Sequence, residues 1–259
     1  MGNIWPRSNT VARRVIWCDT EGGVRGIPVW DITLIDEAPH EPPRALRLFS
    51  VKDAHKAGRS KLRKCMPIPA YMSALKTGMV YGSEYVLSKD GTWSRDKCAP
   101  INGCLAAAVK AYLTPRKGCV LCAWNMRAHD KFVLRGLVGK ECIDAMVLWD
   151  ALPWFRSRYS LPKNSLSSDK PGTPRHVFAV QKQGEAHTSL ADTAHLRELV
   201  LRAAFCLPSR NTKAYIGASQ QDMFKAVQNE IEREVDDASW VPVSASAWDE
   251  IPVSVKTLT

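Results

Sequence analysis

The chain has 259 residues, 45% of them hydrophobic and 24% charged, which is enough to bury a core and excludes a disordered or collagen-like protein. Lys and Arg number 36 against 26 Asp and Glu, a formal charge of +10, so an anionic partner is expected and nucleic acid is the first candidate. The opening MGNIWPRSNT holds no long apolar run, which predicts neither a signal peptide nor a membrane span. Several of the eight Cys lie in apolar runs (VIWCDT, GCVLCAW), where they read as small buried hydrophobes of an intracellular, reducing compartment.

Residues 1–12 read as a lead-in, 14–20 (RVIWCDT) as a strand, Gly22-Gly23 as a turn and 27–36 (IPVWDITLID) as a second strand, together a hairpin. Residues 37–100 give the least legible pattern: Pro-rich breaks, a basic run at 55–64 and a polar turn at Lys89-Asp90-Gly91. Helical periodicity covers 101–113, and 119–124 reads as an apolar central strand. Cys119 and Cys122 fall on that strand, whose alternation would point side chains to opposite faces; no second CxxC or close His pair completes a zinc set, and Cys98 and Cys104 are the distant partners left for one. Helices are expected at about 127–138 and 142–155, a loop at 160–175, a short strand at 176–181, and helices at 188–206 and about 220–235. The tail from 236 is irregular, with Trp240 and Trp248 either packing on the chain's own domain or docking a protein partner. Strands first and helices after predict an α/β sheet with helices packed on it.

The chemistry is carried by acidic residues at apolar places. Asp192 heads the stripe Leu196, Leu199, Val200, Ala203, Ala204, and Asp130 heads Val133, Leu134, Leu137, Val138. A carboxylate facing a core is costly unless it is paired or binds a metal, although either Asp alone reads more readily as a helix cap. Asp19 and Glu21, two apart at the end of an apolar strand, share one face with Cα atoms about 6–7 Å apart. Two carboxylates so placed can share a hard cation, Mg²⁺ or Mn²⁺, and the glycine turn beside them suggests room for a ligand. His187 lies five residues before Asp192, where a loop should feed the helix. No other His of the six has an acidic residue at that spacing.

These three segments, DTE after an apolar strand, AWNMRAHD before a helix and HTSLAD at a helix start, resemble in order and separation the motifs of the DEDDh (DnaQ-like) 3′→5′ exonucleases. The likeness covers roughly 14–205 and includes Asp144 and the YSL at 159–161. It implies a ribonuclease H-like fold: a mixed five-stranded sheet flanked by helices, spanning 13–207 with an insertion at 52–100, followed by a C-terminal helix and tail over 208–259. It also implies a metal-dependent exonuclease with two Mg²⁺ or Mn²⁺ per site, held by Asp19, Glu21, Asp130 and Asp192, with His187 as general base. Thr20 and Gly22 would offer backbone contacts to the terminal nucleotide, and Asn125 would support the site or touch substrate. The chain departs from the family's pattern at Gly22-Gly23, at Trp124 where His is frequent and at His129 where an aromatic is usual. These are substrate-contacting and packing positions, not acidic ligands.

The run Lys56, Arg59, Lys61, Arg63, Lys64 reads either as a groove tracking phosphates or as a solvated loop, and Lys163, Lys170 and Arg175 flank the loop before His187. Single-stranded DNA is the expected substrate. Trimming of RNA 3′ ends and a catalytically silent nucleic-acid-binding adaptor are the alternatives.

Overall fold

A computed structural model describes residues 14–23, 26–58, 68–161, 165–166, 168–182 and 188–234. His187, Lys61, Arg63, Lys163, Trp240 and Trp248 lie outside these residues, as do the rest of the tail and most of the basic run.

The strand of the first motif, β1 (Val15–Glu21), lies inside a seven-stranded mixed sheet. It pairs antiparallel with β2 (Asp31–Glu37), which pairs antiparallel with β3 (Arg44–Ser50). On its other side β1 runs parallel to β6 (Val120–Ala123), and β6 parallel to β7 (Val147–Asp150). Two further antiparallel strands, β4 (Val80–Leu87) and β5 (Trp93–Ile101), extend the sheet beyond β3, giving the order β5-β4-β3-β2-β1-β6-β7. The fold is thus α/β, with seven strands where five were expected. β4 and β5 are joined through the Lys89-Asp90-Gly91 turn, in which Asp90 accepts from the Thr92 amide.

β1 is central because it is apolar on both faces, as strands covered on two sides must be. Val15 and Trp17 join one core with Val120, Cys122, Leu196, Leu199, Val200 and Ala203. These last four belong to α8 (Ser189–Cys206), and Met223, Val227 and Ile231 of α9 (Gln220–Glu234) close the cluster. Ile16 and Cys18 face the opposite core, with Leu121, Val109 of α3 (Leu105–Leu113) and Leu134 of α4 (Asp130–Val138). Cys119 and Cys122 fall into these two different cores, so that pair cannot share a zinc ion. A smaller cluster of Phe49, Val51, Ala54, Tyr71 and Ala74 seats α1 (Val51–Lys56) and α2 (Ile68–Thr77).

Three expected elements differ. The second strand starts at Asp31, not 27, because Pro28 lacks an amide and the segment before Asp31 forms a loop closed by Gly23 N–H to Ile27 O at 2.9 Å. The expected 142–155 helix is α5 (Lys140–Asp144), then β7, then α6 (Ala151–Arg158). Its apolar run Val147–Trp149 adds to the sheet edge, and Asp150 caps the new helix by accepting from the Leu152 amide. The expected 176–181 strand is instead a helical turn, α7 (Pro174–Val177), begun by Pro at its first position, after which Phe178 is fully buried. Among the described residues no helix is long and apolar enough to cross a membrane.

Candidate metal centre

The alternation of β1 sends Trp17, Asp19 and Glu21 to the face covered by α8. α8 begins where Thr188 accepts from the Ala191 amide at 3.3 Å, so Asp192 arrives in the first turn on the side facing β1. Asp19, Glu21 and Asp192 each offer an oxygen, and these atoms lie within 4.8 Å of one another. This is the one such His/Cys/Asp/Glu group among the described residues.

Asp130 comes in from the opposite core, at the start of α4. Its carboxylate accepts a hydrogen bond from the Thr20 hydroxyl at 2.8 Å and is buried. It does not belong to the three-oxygen group, yet its charge is the strongest carboxylate influence on Asp19. The stripes expected behind both Asp residues are present: Leu196, Leu199, Val200, Ala203 and Ala204 are buried, as are Val133, Leu134 and Val138, with Leu137 partly so.

Four carboxylates in so small a volume repel. Asp19 keeps some exposed surface but is sunk deep in protein, and burial, then Asp130, Asp192, Glu21 and Asp31, push its pKa well above the ordinary carboxylate value. Burial also raises Asp130, against the lowering effect of its Thr20 hydrogen bond. Asp192 Oδ1 is buried and accepts no hydrogen bond. The nearest candidate, His195 Nδ1, is 3.7 Å away, and burial lowers the pKa of that imidazole against the raising effect of Asp192. An unpaired buried oxygen and mutually repelling carboxylates are what a hard divalent cation relieves, and the donor set is all oxygen. The residues present therefore fit a Mg²⁺ or Mn²⁺ ion.

Comparison with models of known protein families, and with curated proteins, matches nothing to this chain.

The glycine turn beside the carboxylates is itself closely packed. A Cβ at Gly22 would meet Pro28 O at 2.2 Å, and one at Gly23 would meet Val133 Cγ1 at 2.6 Å; both residues have φ near +90° or +80°. The turn is glycine because the loop packs against itself and against α4. Thr20 is buried with its hydroxyl on Asp130, so its side chain serves the site and not the solvent. Asn125 is exposed, and its carbonyl accepts from the Ala128 and His129 amides, which shapes the turn that delivers Asp130. Asp144 is paired with Arg135. Of the flanking basic residues, Arg175 is buried and Lys170 exposed.

Sequence reasoning passed over two groups of residues. Asp150, at the end of the apolar VLWD, accepts from the Arg127 amide at 2.9 Å and so ties the turn before Asp130 to β7. A carboxylate closing an apolar strand was the available signal. Asp31 and Thr33, across from Glu21 and Asp19 in the β1–β2 ladder, both contact Ser189, and no local pattern announces them.

Proposed function

We propose that this chain is a metal-dependent 3′→5′ exonuclease of the DEDDh type, on a ribonuclease H-like fold, hydrolysing phosphodiester bonds at the 3′ end of nucleic acid. The observation that carries the reading is the convergence of Asp19, Glu21 and Asp192 within 4.8 Å, with Asp192 Oδ1 buried and unpaired. A mixed sheet flanked by helices and a formal charge of +10 agree with it.

When bound, two divalent cations supply the positive charge that stabilises the attacking and leaving oxygens of the phosphodiester. Asp19, which feels the charge of all three other carboxylates, would be a ligand common to both ions. Glu21 and Asp192 would hold a cation together with Asp19, and Asp130 would help to hold a second. The Thr20 hydroxyl fixes the orientation of the Asp130 carboxylate. His187, directly before the Thr188 cap of α8 in the sequence, would take the proton from the attacking water as general base. The leaving 3′ oxygen departs with the shortened strand, and a mononucleotide is released.

The test is a gel assay on 5′-labelled single-stranded DNA and RNA of one sequence, with Mg²⁺, Mn²⁺ or EDTA. The expected result is a metal-dependent ladder shortening from the 3′ end, stronger on DNA. Asp19→Ala should lower the rate by roughly 10³-fold, as loss of several kcal/mol of transition-state stabilisation requires. A stronger ladder on RNA assigns the RNA-trimming activity. Binding without cleavage of either strand or their duplexes overturns the enzyme reading in favour of an adaptor.

A further inference from the structure

The residues that face the metal-binding carboxylates across the β1–β2 ladder are themselves polar and fully buried. Thr33 is the register partner of Asp19, and Asp31 that of Glu21. Residues directly opposite on antiparallel strands project to the same face, so both side chains lie under α8. Both meet the same residue there. Thr33 Oγ1 and Ser189 Oγ are 2.7 Å apart, and the Ser189 amide donates to Asp31 Oδ2 at 3.3 Å. Thr33, Asp31 and Ser189 are each 0% exposed.

Ser189 is the first residue of α8, and its amide is one of the helix-start donors that no carbonyl within the helix can satisfy. Asp31 satisfies it and sets a negative charge at the positive end of the helix. Asp192 stands three residues on, on the same side of the helix. Arg47 on β3 donates to both oxygens of Asp31, at 2.8 and 2.7 Å. That pair balances the charge of the carboxylate nearest to the metal set in the ladder and keeps it from competing for the cation.

We infer that Thr33 and Asp31, acting through Ser189, are positioning residues that fix where Asp192 meets Asp19 and Glu21, and hence the divalent-cation affinity of the site. The inference rests on the metal-dependent reading above. The two bonds anchor the start of α8 to the residues opposite Asp19 and Glu21, so a shift of the helix would separate Asp192 from its partners. Ordinary core packing does not require a hydroxyl pair here, since a Val at 33 would fill the same volume.

The experiment is Mn²⁺ binding to the full chain, followed by electron paramagnetic resonance and calorimetry, beside thermal melts of the metal-free protein. Thr33→Val should weaken Mn²⁺ binding by about tenfold, the low end of the range for residues that orient metal ligands, and Thr33→Ser should restore it. The double variant Asp31→Asn, Arg47→Gln, which leaves no stranded buried charge, should weaken binding further, towards about 100-fold. Ile35→Val, elsewhere on β2 and also fully buried, should lower the melting temperature without changing Mn²⁺ affinity. Should Thr33→Val not fold, Ser189→Ala removes the same hydroxyl contact and is held to the same tenfold expectation. Wild-type Mn²⁺ affinity in the folded hydroxyl-loss variant overturns the positioning role while leaving the exonuclease reading intact. A wild-type chain that binds no Mn²⁺ sinks both.

Discussion

Helices α4 and α8 present the same pattern, an Asp at the head of a buried apolar stripe, and the fold treats the two carboxylates differently. Asp130 is tied by the Thr20 hydroxyl on one face of β1. Asp192 is brought to Asp19 and Glu21 on the other face with an oxygen left unpaired. The difference arises because β1 alternates: Thr20 points to the α4 side, Asp19 and Glu21 to the α8 side. A strand end can thus hold carboxylates from two opposite layers around one point, with one of them oriented by a neighbour and the other available to a cation.

The strongest way to break this comparison is to neutralise each Asp in turn. Asp192→Asn should abolish most Mg²⁺-induced stabilisation, about 2.7 kcal/mol when the ion stands at 100 times its Kd, whereas Asp130→Asn should keep a substantial part of it. Melting curves with and without Mg²⁺ measure this, and equal losses in the two variants would erase the distinction. A smaller effect is expected at the neighbour. Thr20→Val removes the side-chain hydroxyl that donates to Asp130 and should destabilise the metal-free protein by about 1–2 kcal/mol, read by urea unfolding. No change would mean that Asp130 finds another donor and is not oriented by β1.

The smallest effect concerns pH. Burial and neighbouring carboxylates raise the folded-state pKa of Asp19 above its ordinary value of 3.8. The stability that this contributes is full below 3.8 and is lost as pH rises through the raised folded value. In EDTA, wild-type protein should therefore lose stability relative to Asp19→Asn as pH climbs through that window, and added Mg²⁺ should shrink the difference. Parallel melting-temperature curves for the two proteins would show that Asp19 is not under carboxylate pressure.

Much of this architecture was legible in the chain. The apolar run VIWC marks a strand buried on both faces, the spacing of Asp19 and Glu21 places them together, and the stripes behind Asp130 and Asp192 mark two helices by their contacts within a few residues. Such features are local, and local periodicity records them. The β4–β5 extension of the sheet was not legible, because edge strand β5 is mostly exposed and carries Arg95, Asp96 and Lys97 where an alternating strand would show apolar residues. Nor was β7, because three apolar residues ahead of a helix read equally as its first turn.

What the sequence by itself determined was the strand β1, the helices α4 and α8 and the acidic residues at their ends, since period two and period 3.6 are properties of neighbouring residues. Only the tertiary structure decided which carboxylates meet, that Gly22 and Gly23 are packed against Pro28 and Val133, and that Asp31, Thr33 and Ser189 join the strand to the helix. Those contacts link residues up to 158 positions apart, and their partners are selected by strand register and helix placement, which no short stretch of sequence encodes.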